Sequence, residues 1–138
     1  MNALYFQAND GTSGTELWKT NGTGADTTMV KDINTGLFAS SNPTELTPVD
    51  GIMYFSATDG TNGRELWKSD GTDAGTVLVR DIHPSGQANP GQIVVINGVL
   101  TFFANDEFLG RELWTSNGTE AGTVLLKDIC PGACPSRQ

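Results

Sequence analysis

The chain has 138 residues, with 17 Gly, 6 Pro and a formal net charge of −8 from 8 basic and 16 acidic side chains. No apolar run approaches the roughly 20 residues that span a bilayer, and no basic stretch followed by an apolar one marks a signal peptide. The acidic balance argues against phosphate-backbone binding, which needs clustered Lys and Arg, and the glycines lack the three-residue period of collagen.

Read in chain order, the sequence repeats itself. The segments Leu4–Ile33, Met53–Ile82 and Leu100–Ile129 align without gaps. Their tryptophans, Trp18, Trp67 and Trp114, are spaced by 49 and 47 residues. The two-residue difference falls in a connector, Asn34–Pro43 against His83–Pro90, where a surface loop absorbs it.

Each period predicts four short strands. The first is Glu45–Val49, or Gln92–Ile96 one period later. The second is Met53–Ala57, the third Glu65–Ser69 and the fourth Thr76–Asp81. All are rich in β-branched and aromatic residues, with Gly, Asn, Asp and Pro between them. Asp50-Gly51 and Asn97-Gly98 join the first strand to the second and predict two-residue type I′ hairpins. The first copy begins at its second strand, so the chain carries eleven strand candidates. No sustained 3.6-residue period predicts a helix.

Neighbouring residues on a strand point to opposite faces. Here both faces are apolar: Tyr54 and Phe55, Leu66 and Trp67, and Leu78 and Val79 are adjacent pairs. Such strands fit a sheet covered on both sides. The expected fold is all-β, with three β-propeller-like four-stranded repeats of 47–49 residues at 1–44, 45–91 and 92–138, the last lacking a following closing strand. The alternative is a β-trefoil, which also uses three four-stranded repeats. Three blades make a small ring against the usual four to eight, so the chain is expected to be a slice of a longer array or to associate with further copies.

The strings ELWKTNGT (Glu16–Thr23), ELWKSDGT (Glu65–Thr72) and ELWTSNGT (Glu112–Thr119) resemble the ELWxxDGT repeat of large secreted or surface proteins, mostly bacterial. The likeness covers nearly the whole chain. Asn21 and Asn117 depart from it at the Asp position. Asp26 stands where the other copies have Gly75 and Gly122, and Glu107-Phe108 replaces the Gly-Thr that follows Asp10 and Asp59. The resemblance implies propeller-like blades and an extracellular or cell-surface location. It implies no chemistry.

Each candidate site also has a plain structural reading. Asp10, Asp59 and Asp106 lie in Gly-rich loops and are candidate Ca²⁺ ligands, although the carboxylates are sparser than in an EF-hand. The plain reading has each Asp closing an Asx turn, and Glu16, Glu65 and Glu112 pairing with a neighbouring repeat's Arg or Lys. Asp32, Asp81 and Asp128 end strands and are expected to bond loop amides. The tryptophans are expected to anchor inter-sheet packing. Phe38, Phe103 and Phe108 are less regular and are the better candidates for ligand contact, glycans included. His83 has no counterpart in the other copies, which gives catalysis little support. Cys130 and Cys134 are expected to form a local disulfide in an oxidising compartment. Asn21-Gly22-Thr23 and Asn117-Gly118-Thr119 match the glycosylation sequon.

Taken together, the expectation is a non-enzymatic extracellular repeat module with a structural or adhesive role. It has no cofactor, calcium aside, and no nucleic-acid partner or membrane span. It assembles as a homo-oligomer or with flanking repeats, and the alternative is a multivalent carbohydrate-binding module.

Overall fold

The computed structural model describes residues 3–131. Among them the fold is all-β, with eleven strands and no helix. No helix is long and apolar enough to cross a membrane. The first sheet holds β1 (Leu4–Asn9), β2 (Thr15–Thr20) and β3 (Thr28–Lys31). The second holds β4 (Thr44–Val49), β5 (Ile52–Thr58), β6 (Arg64–Ser69) and β7 (Val77–Arg80). The third holds β8 (Gly91–Ile96), β9 (Val99–Asp106), β10 (Gly110–Ser116) and β11 (Thr123–Lys127). Each sheet is an antiparallel meander in chain order. Among the described residues the three sheets close neither into a barrel nor into a propeller ring.

Local chemistry accounts for the turns. Asp50 and Gly51 have φ of 49° and 83°, and Asn97 and Gly98 have 53° and 78°. Both pairs thus take the double positive φ of a type I′ turn, whose twist matches that of the flanking strands. The third strand of every repeat carries a register shift between its Leu and its Trp, at Leu17/Trp18, Leu66/Trp67 and Leu113/Trp114. The first strands are also bulged, between Thr44 and Thr47 and between Gly91 and Val94. Glu45 and Gln92 sit in these bulges with φ of 60° and 51°.

The core is built between sheets. One cluster joins Tyr5, Leu17, Val30 and Ile33 of the first sheet to Met53, Phe55, Ala57 and Trp67 of the second. The other joins Tyr54, Leu66, Val79 and Ile82 of the second sheet to Ile93, Leu100, Phe102, Ala104 and Trp114 of the third. The two interfaces use equivalent positions one period apart. Each sheet therefore has a leading face, turned to the preceding repeat, and a trailing face, turned to the next. This is the physical reason for apolar residues on both sides of every strand.

Polar couplers repeat with the same period. Lys19 Nζ donates to the Gly71 carbonyl at 2.6 Å, and Lys68 Nζ to the Gly118 carbonyl at 2.7 Å. Within each repeat one hydroxyl pair closes the third turn at 2.7 Å: Thr20 with Thr27, Ser69 with Thr76 and Ser116 with Thr123. The first strands also meet each other. Ile93 N donates to Glu45 Oε1 at 3.2 Å, and Thr47 Oγ1 donates to the Ile93 carbonyl at 3.3 Å.

Candidate functional site

The repeated glutamates correct one expectation from the sequence. Glu16, Glu65 and Glu112 are buried, and they bind backbone amides rather than cations. Glu16 accepts from the amides of Ile33, Asn34 and Ser41 and from the Ser41 hydroxyl. Glu65 accepts from Ile82, His83 and Ala88. Glu112 accepts from Ile129 and Cys130. The reason is topological. The glutamate starts the third strand, directly across from the point where the fourth strand ends, and the outgoing connector presents unpaired N–H groups there. A buried N–H must be paired, and the two oxygens of a carboxyl group can take several at once. Each glutamate thus locks a connector in place.

The same register, with Leu66 opposite Arg80, sets Glu65 beside Asp81. The equivalent pairs are Glu16 with Asp32 and Glu112 with Asp128. Oδ1 of each of these aspartates is buried without a hydrogen-bond partner. Burial, with Asp81 adding to it, pushes Glu65 up to about 8. Burial also raises Glu16, against the pull of its hydrogen bonds. For Asp128, burial and the nearby Glu112 raise the carboxyl.

The loop aspartates make the turns expected of them. Asp10 Oδ1 accepts from Thr12 and Ser13, Asp59 Oδ1 from Thr61 and Asn62, and Asp106 Oδ1 from Phe108 and Leu109. Among the described residues no group of three or more His, Cys, Asp or Glu stands together as a metal ion would need. Trp67 and Trp114 are buried in the two inter-sheet cores, while Trp18 is half-exposed on the leading face of the first sheet. Arg80 stacks over Trp114 at 5.9 Å from the ring centroid. His83 Nδ1 is buried without a partner. Cys130 is disulfide-bonded; Cys134 lies outside the described residues.

The three ligand-contact candidates are not gathered into one site. Phe38 lies in the first connector, its amide bonded to the Thr12 carbonyl at 2.8 Å. Phe108 tops the β9–β10 turn at 84% exposure, beside Arg80 and Pro84 of the second repeat. Phe103 alone lines a substantial cleft, of about 590 Å³, together with Glu45, Gly91, Gln92, Arg111 and Ile129.

Arg111 does not stand out in the sequence, and its meaning comes from comparison with Arg64 one period earlier. Arg64 uses both of its terminal nitrogens. Its Nη1 donates to the Ser56 carbonyl, the Ser56 hydroxyl and the Thr44 hydroxyl, and its Nη2 to the carbonyls of Ser41 and Asn42. In the third repeat Phe103 replaces Ser56 and Gly91 replaces Thr44, so both hydroxyl acceptors are gone. Arg111 is left with one side-chain bond among the described residues, Nη1 to the Asn89 carbonyl at 2.9 Å. The paired substitutions could have been found by laying the repeats over one another.

No protein-family model, curated protein or solved structure matches this chain at a significant level, so its function has to be argued from the geometry above.

Proposed function

We propose that this chain is a non-catalytic module of an extracellular or cell-surface repeat protein, related to the ELWxxDGT proteins. Its repeats act as β-propeller-like blades with a structural or adhesive role, assembling through repeat–repeat contacts. The observation that carries this reading is the duplicated inter-sheet core. The same contact is made twice, and its two halves are both left open at the outer sheets. On the leading face of the first sheet, Leu4 is 63% exposed and Phe6 and Trp18 are partly exposed, whereas their equivalents Met53, Phe55 and Trp67 are buried. On the trailing face of the third sheet, Leu126 and Ile129 are 54% and 58% exposed, whereas Val79 and Ile82 are buried. Contiguous exposed apolar surface of this kind marks an interaction face. The meeting of first strands at β4 and β8 is what blades set around a common axis require.

The polar couplers are altered at both outer faces. Thr115 stands where Lys19 and Lys68 reach the next repeat, Thr101 where Tyr5 and Tyr54 stand, and Thr15 where Arg64 and Arg111 reach back. A contact between copies therefore rests on apolar surface and is weaker than the contacts inside the chain. The test is light scattering at micromolar to millimolar concentration. The expected result is a concentration-dependent species heavier than the 14.6 kDa chain, reduced by Phe6→Asp or Leu126→Asp. A monomer throughout that range would overturn the reading.

A further inference from the structure

The geometry points to the Phe103–Arg111 cleft as a binding site for a neutral sugar. Three features of the cleft argue for this class. The first is an apolar platform. Phe103 is half-buried and lines the cleft with Ile129; an aromatic face suits the C–H face of a pyranose ring. The second is spare hydrogen-bonding capacity of both kinds. Arg111 keeps Nη2 and Nε without a protein acceptor among the described residues, since its one bond runs from Nη1. Glu45 spends Oε1 on the Ile93 amide and has Oε2 left over. Gln92 offers both a donor and an acceptor. Vicinal hydroxyls donate and accept at short spacing and can satisfy such a set.

The third feature is charge. Arg111 disfavours a cation, while Glu45 and Glu112 on the same wall disfavour an anion. The ligand is therefore a neutral polyol. Its position is set by the fold, because Glu45 and Gln92 occupy the equivalent bulges of β4 and β8. Gly91 keeps the cleft open: a Cβ placed there would approach Arg111 Nη2 to 2.7 Å. Convergent polar groups beside an apolar platform are a common make-up of a small-molecule site.

The cleft borders the exposed trailing face, since Ile129 belongs to both, and light scattering of the same samples reports assembly separately from binding. The probes are the methyl glycosides of glucose, galactose, mannose, fucose and N-acetylglucosamine, followed by ligand-observed NMR and calorimetry, with glucuronate as the anionic control. At least one glycoside is expected to bind saturably. Phe103→Ser installs the residue found at position 56, and Gly91→Thr the residue found at position 44, so both keep a side chain the fold already accepts. Each is expected to weaken binding about tenfold or more as platform, space and free donors are lost. Phe38→Ala and Phe108→Ala are expected to leave it unchanged. Saturable binding to none of the five glycosides would overturn the assignment. So would equal binding by folded Phe103→Ser and Gly91→Thr, and preference for glucuronate would overturn the neutral class. If one of the two variants fails to fold, the other decides.

Discussion

Glu65 and Ile82 are joined across the mouth of the β6–β7 hairpin by a bond of 2.8 Å from the Ile82 amide to Oε2 of the Glu65 carboxyl. That bond, with those from His83 and Ala88, fastens the second connector to the sheet it leaves. Glu65→Ala would leave three amides without this acceptor, and an unsatisfied buried polar group costs about 1–3 kcal/mol. Urea unfolding is expected to show a loss of at least about 2 kcal/mol for Glu65→Ala. Glu65→Gln should keep most of the stability near neutral pH, because its carbonyl still accepts and its NH2 stands where the protonated carboxyl carries its O–H. A stability change within error for Glu65→Ala would mean the connector is held elsewhere.

The same glutamates set an unusual pH dependence. Burial holds Glu65 at about 8 in the folded protein and raises Glu16, against an unfolded value of about 4.3. Between the two values the folded state keeps a proton that the unfolded state has lost. Their stabilising effect is therefore full below the unfolded value and is lost as pH rises through the folded one. The loop aspartates act oppositely. For Asp59, burial is outweighed by the Asn62 and Thr61 bonds, which hold the carboxyl low; its contribution disappears as pH falls into the acid range. The urea midpoint is expected to decline from about pH 5 to about pH 9, and Glu65→Gln should flatten the decline. A midpoint that rises over this range would contradict the protonated lock.

Much of the architecture was legible because it depends on residue type at fixed spacing. The eleven strands follow from β-branched and aromatic runs, and the two hairpins from Asx-Gly pairs. The bulges were not legible: Glu45 and Gln92 take positive φ with no local preference for it, held there by strand pairing and by the Ile93 contact. The role of the glutamates was hidden for a related reason. A Glu at the start of a strand reads the same whether it meets a cation or a row of amides, and only the path of the connector decides. At the candidate cleft, Phe103 stood out as an irregular aromatic. Arg111 did not, because an Arg at that position looks regular until its missing acceptors at 91 and 103 are noticed.

Glycine is required where a connector crosses close to a turn. Gly63 has φ +76°, and a Cβ there would overlap the Gly86 carbonyl oxygen. Gly51 has φ +83° with nothing within 4 Å of that position. Gly51→Ala is expected to cost about 1–2 kcal/mol, the left-handed conformation alone. Gly63→Ala should cost clearly more, since backbone has to move. Equal losses by thermal melting would show that the second connector shifts freely.

Calcium is tested by the same melting assay. Each loop aspartate spends its Oδ1 on two amides of its own turn, and no metal-competent cluster stands among the described residues. The melting temperature is expected to be equal in EDTA and in millimolar Ca²⁺. A ligand bound tightly by the native state alone would have to raise it, so an upward shift would locate a cation site at these loops or outside the described residues.

Phe55 and Phe6 occupy the same position in consecutive repeats, yet Phe55 is fully buried between the first two sheets and Phe6 is partly exposed on the outer leading face. Truncating a buried Phe to Ala costs about 3–5 kcal/mol through lost transfer energy and the cavity left behind. Phe55→Ala is expected to lose stability in that range whatever the protein concentration, because its contact lies within the chain. Phe6→Ala should cost much less in dilute solution. Its cost should then grow with concentration if another sheet seats on the leading face, because binding to the native state stabilises by mass action. The decisive measurement is urea unfolding of both variants and the parent at low and high micromolar concentration. A Phe6→Ala penalty that stays small and constant, in a parent whose midpoint also ignores concentration, would leave the duplicated core as a device for internal packing alone.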